Sequence, residues 1–136
     1  MQPLPRNLTD KFADAFAGEK RGFSARQISD YFVSYSNLVK PYDHYGVNPT
    51  RHQLFIECVY ALVPKHQYYA LNDLAYVVCE SKYSYPSEDE RRELITQLHN
   101  FISTSLKKRC QEGNFLFIYY QQLANNAQST VSGICF

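Results

Sequence analysis

Arg92 and His99 are the two residues whose types and spacing best suit chemistry in this sequence. They fall in a segment of helical periodicity, and seven residues is nearly two turns, so both side chains leave the same side. A second candidate is Asp43-His44, where carboxylate and imidazole can orient one another between the stacking surfaces of Tyr42 and Tyr45. A lone Asp-His step with no nucleophile makes no triad, and the plainer reading is a loop packed by its own tyrosines or offered to a partner. The four histidines, His44, His52, His66 and His99, never stand at a metal-ligand spacing such as His-x3-His. The five glycines are isolated turn residues, so there is no phosphate-cradling loop. These patterns imply neither a metal nor a cofactor.

The spacing of Arg92 and His99 resembles the Arg-x(4–6)-His pattern of the HEPN ribonucleases. The resemblance implies an all-helical domain that cuts RNA as a dimer without metal. His99 would then be the general acid or base, and Arg92 would stabilise charge on the phosphate. Glu93 directly follows the arginine and opposes a phosphate there, while Asn100 follows the histidine. A solvated arginine and a half-buried histidine at the edge of an apolar stripe is the ordinary alternative.

Residues 24–35, SARQISDYFVSY, resemble the second helix of a helix-turn-helix, preceded by a short helix and a turn. Lys20, Arg21 and Arg26 are few for an electrostatic footprint, and Asp30 repels phosphate from the outer face. The net charge is +1, from Lys+Arg 14 against Asp+Glu 13, so no overall field draws nucleic acid or an anionic membrane. Nucleic-acid binding is therefore a second alternative, and a protein partner or self-association is the favoured mode of contact.

The elements that must position these residues are helical. Residues 48–80 read as two helices joined at Pro64. Leu54, Phe55, Cys58, Val59, Ala61 and Leu62 form one buried stripe, and Tyr68, Leu71, Leu74, Ala75 and Val78 the next. Asn48-Pro49-Thr50 is a start signal, with a capping side chain and a proline suited to the first helical position. Pro64 lacks an N–H and must end or kink the first helix, leaving a hairpin whose groove other helices cover. Before it, residues 1–6 read as a loose arm, and Leu8, Phe12, Ala15 and Phe16 mark a short helix begun by Asn7 or Thr9 and closed near Gly18. Ser24 and Gln27 fit a capping box stapled by Phe23 and Ile28, opening a helix to about residue 37. Ser87 and Glu90 fit another, opening the longest helix over 88–108, with Leu94, Ile95, Leu98, Phe101, Ile102 and Ser105 on its buried side. Residues 115–127 fit a helical stripe better than a strand, and 129–136 have no period. The expected fold is an all-α bundle of five or six helices around a central hairpin, with one domain over 1–128 and a tail or linker stub over 129–136. The apolar ending Ile134-Cys135-Phe136 suggests a chain cut from a longer protein.

A chain of 136 residues buries a core without staples. Cys58, Cys79, Cys110 and Cys135 form no CxxC pair and read as reduced thiols of a cytoplasmic protein. No apolar run nears the roughly 20 residues of a membrane span. Tyr 12 with no Trp is the unusual entry in the composition. Tyrosine joins a ring to a hydroxyl, so many of these belong at half-buried rims or contact surfaces. Tyr31, Tyr35, Tyr42, Tyr45, Tyr83 and Tyr85, with Asp43 and His44, are the candidate contact residues.

LTDKFADAFAG, FSARQISDYFVSYSN and PTRHQLFIECVYALVPKHQYYALNDL together resemble the N-terminal helical adaptor modules, including the effector-associated type, of bacterial abortive-infection and anti-phage proteins. The likeness covers about the first 80 residues. It implies a non-enzymatic intracellular module that couples a sensor to an effector elsewhere, and it assigns no catalytic residue.

Overall fold

The computed structural model describes residues 2–39, 49–77 and 81–110, with side chains described through residue 107. It contains five helices: α1 (Arg6–Ala17), α2 (Ala25–Val33), α3 (Arg51–Ala61), α4 (Pro64–Asp73) and α5 (Glu88–Cys110). No strand occurs among the described residues, only an isolated parallel bridge between Arg21 and Ser84. The all-α expectation holds. The readings of 115–127 and of the tail at 129–136 lie outside the described residues.

The capping signals explain most of the helix starts. Ser24 Oγ accepts from Gln27 N at 3.3 Å while Gln27 Oε1 accepts from Ser24 N at 2.9 Å, closing the box ahead of α2. A second box opens α3, with Thr50 and Gln53 as its reciprocal partners. This places Pro49 before the cap rather than at the first helical position. Pro64 holds that position in α4, where its missing N–H costs nothing. Val63, directly before the proline, is extended with ψ 152, as steric conflict with the proline ring requires. Ahead of α5 only half of the expected box forms: Glu90 N donates to Ser87 Oγ at 3.2 Å, while the Glu90 carboxylate goes to Arg21 instead.

Two expected boundaries move. The α2 helix stops at Val33, not near residue 37, and Ser34 Oγ donates to the Tyr31 carbonyl at 2.7 Å. Serine competes for backbone acceptors and so favours helix ends over interiors. The arm at 2–5 is not loose. Leu4 is 3% exposed, its N–H donates to the buried Gln67 Oε1 at 3.0 Å, and its carbonyl accepts from Tyr60 Oη at 2.9 Å. Tyr68 Oη adds a bond to the Gln2 carbonyl at 3.0 Å. A buried amide costs free energy unless its donors and acceptors are paired, and the arm supplies part of what Gln67 needs.

α3 is the central element. It buries Leu54, Phe55, Ile56, Cys58 and Val59 and packs chiefly on α1 and α2. Its contact with α4 is slighter, and α5 covers α1 and α4. Other helices do cover the expected central hairpin, and α3 meets α1 and α2 more extensively than it meets α4. Aromatic rings run continuously through this core. Phe12, Phe16, Phe23 and Tyr31 follow one another at centroid distances of 6.0–6.3 Å, and Phe32 meets Phe55 edge-on at 5.1 Å.

Candidate functional site

α5 separates Arg92 from His99 rather than uniting them. The Arg92 side chain is 48% exposed and pairs with Glu88 one turn earlier, Nη2 to Oε1 at 2.5 Å. The His99 ring is 2% exposed and faces α4, where its Nε2 lies 2.9 Å from Asn72 Oδ1. Nearly the same angular position has two fates: His99 meets Asn72 of α4, and Arg92 stays at the surface with Glu88. Burial holds the His99 pKa below the ordinary histidine value, keeping the ring neutral. Its Nδ1 has no hydrogen-bond partner among the described residues and is shielded from solvent. The His99 ring is therefore not at the Arg92 surface. Among the described residues no three His, Cys, Asp or Glu gather as a metal-binding group.

Four of the candidate contact tyrosines are described, and each is engaged within the fold. Tyr31 Oη donates to the Ala70 carbonyl and lies 3.2 Å from Tyr35 Oη, which donates to Asp73 Oδ2 at 2.6 Å. Burial raises the Tyr31 pKa strongly. It also pushes Tyr35 up to about 12, with the Asp73 bond adding to the rise. Together the two hydroxyls fasten α2 to the end of α4. Tyr85 meets Phe16 and Phe23 edge-on at 5.8 and 5.9 Å and donates to the Val77 carbonyl at 2.5 Å. Tyr83 is engaged through its ring, with the Arg51 guanidinium at 3.9 Å and the Lys82 ammonium at 5.1 Å from its centroid. Tyr42, Asp43, His44 and Tyr45 lie outside the described residues.

No protein-family model, curated protein or solved structure matches this chain. The site therefore has to be read from its own geometry.

The most densely bonded polar group is one the sequence reading passed over. Arg51, at the first position of α3, donates from Nη1 to the Gly18 carbonyl at 2.6 Å, from Nε to the Phe23 carbonyl at 2.9 Å, and from Nη2 to the Arg21 carbonyl. One guanidinium thus gathers three carbonyls of the α1–α2 connection, with Tyr83 stacked on its face. The same connection receives residues 83–85 through Gly22 N to Ser84 O at 2.7 Å and Ser84 N to Lys20 O at 3.2 Å. Arg21 pairs with Glu90 of α5, which raises its pKa. Lys20 and Gly22 take positive φ of 55° and 77° here. A side chain at Gly22 would bring Cβ to 2.0 Å from the Phe16 carbonyl oxygen. A signal was available: a cation in the first turn opposes the helix dipole, so an arginine there is wanted elsewhere.

The surface that remains apolar lies at the end of α2. Leu38 is 64% exposed and Val33 37% exposed, and Val63 at the α3–α4 junction is also open.

Proposed function

We propose that this domain is a non-enzymatic protein–protein interaction module, an adaptor or oligomerising unit of a larger bacterial defence-type protein. The single observation that carries the reading is the pair Val33 and Leu38. Leu38 is the most exposed large apolar side chain among the described residues. Isolated apolar side chains on a surface are common, but Val33 closes α2 and Leu38 follows it in the turns beyond, so two exposed apolar side chains stand close in the chain and can begin a contact patch. The chemistry-bearing residues support the same reading from the other side. Arg92 is held by Glu88, and His99 is enclosed with Asn72. The resemblance of the first 80 residues to helical adaptor modules supplies the biological setting.

Sedimentation of the purified chain over a range of concentrations tests the proposal. Concentration-dependent association that Val33→Glu with Leu38→Glu weakens at least tenfold is the expected result. A chain that stays monomeric throughout would overturn the self-associating form. Cleavage of RNA by the wild-type chain, lost on His99→Ala, would replace it with the HEPN-like reading.

A further inference from the structure

We propose that His99 is an acid-sensitive latch between α4 and α5: the neutral ring holds the two helices together, and the imidazolium drives them apart. A neutral imidazole has one donor and one acceptor, whereas the imidazolium has two donors. The site supplies one polar partner, Asn72 Oδ1 at 2.9 Å from Nε2. Nδ1 is buried and faces no acceptor among the described residues. With Nε2–H donating to Asn72, the second proton goes to Nδ1, which is shielded from solvent and finds no acceptor among the described residues. Turning the Asn72 amide over gives no relief, since the charged ring then meets a donor at Nε2 as well. A buried charge without partners favours whatever rearrangement returns it to water.

Among the described residues no anion compensates a charge on His99. From α4 the titratable and charged groups are Lys65, His66, Tyr68, Tyr69 and Asp73, and Asp73 accepts from Tyr35. Tyr68 stacks on Phe101 of α5 at 6.2 Å. From α1 come Arg6, Asp10, Lys11 and Asp14. Arg6 and Asp10 pair with each other, Lys11 Nζ donates to Gln97 Oε1 at 3.1 Å, and Asp14 pairs with His52 at 3.1 Å. On α5 itself Arg92 is paired with Glu88, Glu90 with Arg21, and Glu93 accepts from Gln97. The half-buried Arg91 donates to the Ala75 carbonyl at 3.4 Å and adds a cation, not an anion, beside α4. None of these contributes to the displacement of the His99 pKa, which comes from burial alone. The negative end of α4 favours a cation, but no carbonyl of that helix reaches the ring.

The sign follows from linkage. A histidine whose pKa is depressed in the closed state stabilises that state fully above about pH 6.5, and the stability is lost as pH falls below that value. The opened ring has an ordinary pKa, so the open population can rise by up to about tenfold between pH 7.5 and 5.5.

Hydrogen exchange read by mass spectrometry on the full chain, at those two pH values and corrected for intrinsic exchange rates, is the test. Protection over residues 64–73 and 88–107 is expected to fall several-fold at pH 5.5, while α3 keeps its protection. His99→Gln retains a donor for Asn72 and cannot titrate, so its α5 protection is expected to be independent of pH. An NMR titration of the wild-type imidazoles, which needs no variant, is expected to place His99 below the ordinary value. Unchanged wild-type protection would overturn the proposal, as would an equal loss in His99→Gln. A His99 titration at or above about 6.5 would also overturn it.

Discussion

Arg51, half-buried against the α1–α2 connection, and His99, buried between α4 and α5, are polar groups treated in opposite ways. Arg51 brings an arrangement of fixed donors to a place where three carbonyls converge, and an aromatic ring covers its face. Burial lowers its pKa, yet guanidinium keeps its charge at any ordinary pH. His99 has one partner and one idle nitrogen. The first arrangement is saturated and makes the α1–α2 connection a fixed part of α3. The second is one acceptor short of tolerating a proton, and so leaves α5 conditional. What separates a rigid polar site from a responsive one here is the number of partners against the number of donors, together with the deeper burial of His99.

Removing the guanidinium is the strongest way to break this contrast. Arg51→Met keeps most of the stem but takes the guanidinium from the Arg21 and Phe23 carbonyls and leaves the Gly18 carbonyl only the Arg21 N–H. A loss of about 2–4 kcal/mol in urea unfolding is expected, and Arg51→Lys is expected to recover little because an ammonium lacks the planar fork. Gly22→Ala attacks the same region through the backbone. The positive φ and the close Phe16 carbonyl predict a loss of about 1–3 kcal/mol, measured as a fall in Tm. On the other side of the comparison, Asn72→Leu takes away the single partner of His99. It is expected to cost about 1–2 kcal/mol at pH 7.5, and the acid dependence of unfolding should persist, because the ring still titrates inside the fold.

The tyrosine pair sharpens the contrast from the alkaline end. Tyr35 is raised to about 12 and Tyr31 is raised as well, so both stabilise the neutral state of the fold. Their contribution is complete below about pH 10 and is lost as pH rises through the folded values. Tyr35→Phe should flatten unfolding curves between pH 10 and 12 while leaving the acid limb untouched. The smallest effect belongs to Arg92→Ala. It breaks an exposed pair worth about 0.3–0.5 kcal/mol and should leave thermal unfolding nearly unchanged.

Helix identities were legible because they rest on local chemistry. The Ser24–Gln27 box, Pro64 and the apolar stripe of α5 each act within a turn or two of chain, and each appears where the sequence places it. The Thr50–Gln53 box was equally local, and its residues were there to be read. What stayed hidden depends on partners far along the chain. Glu90 looks like a capping residue until Arg21 is brought to it from 69 positions away. Gln67 gives no local hint that it binds Leu4, 63 residues earlier. The tyrosines show the same limit. Their abundance pointed to half-buried rings, and Tyr31, Tyr35 and Tyr85 are half-buried, but only the packing shows that their hydroxyls are spent on Ala70, Asp73 and Val77. Periodicity also put Arg92 and His99 on one side without saying how far along α5 its cover extends.

The anchoring of residues 2–5 changes what counts as the smallest piece able to fold. Trimming the chain to the first turn of α1 would look harmless on a diagram of helices. It would also strip Gln67 of the N–H it accepts from and leave Tyr60 and Tyr68 without their carbonyls. The autonomous unit starts ahead of its first helix, and any shortened version should retain those four residues.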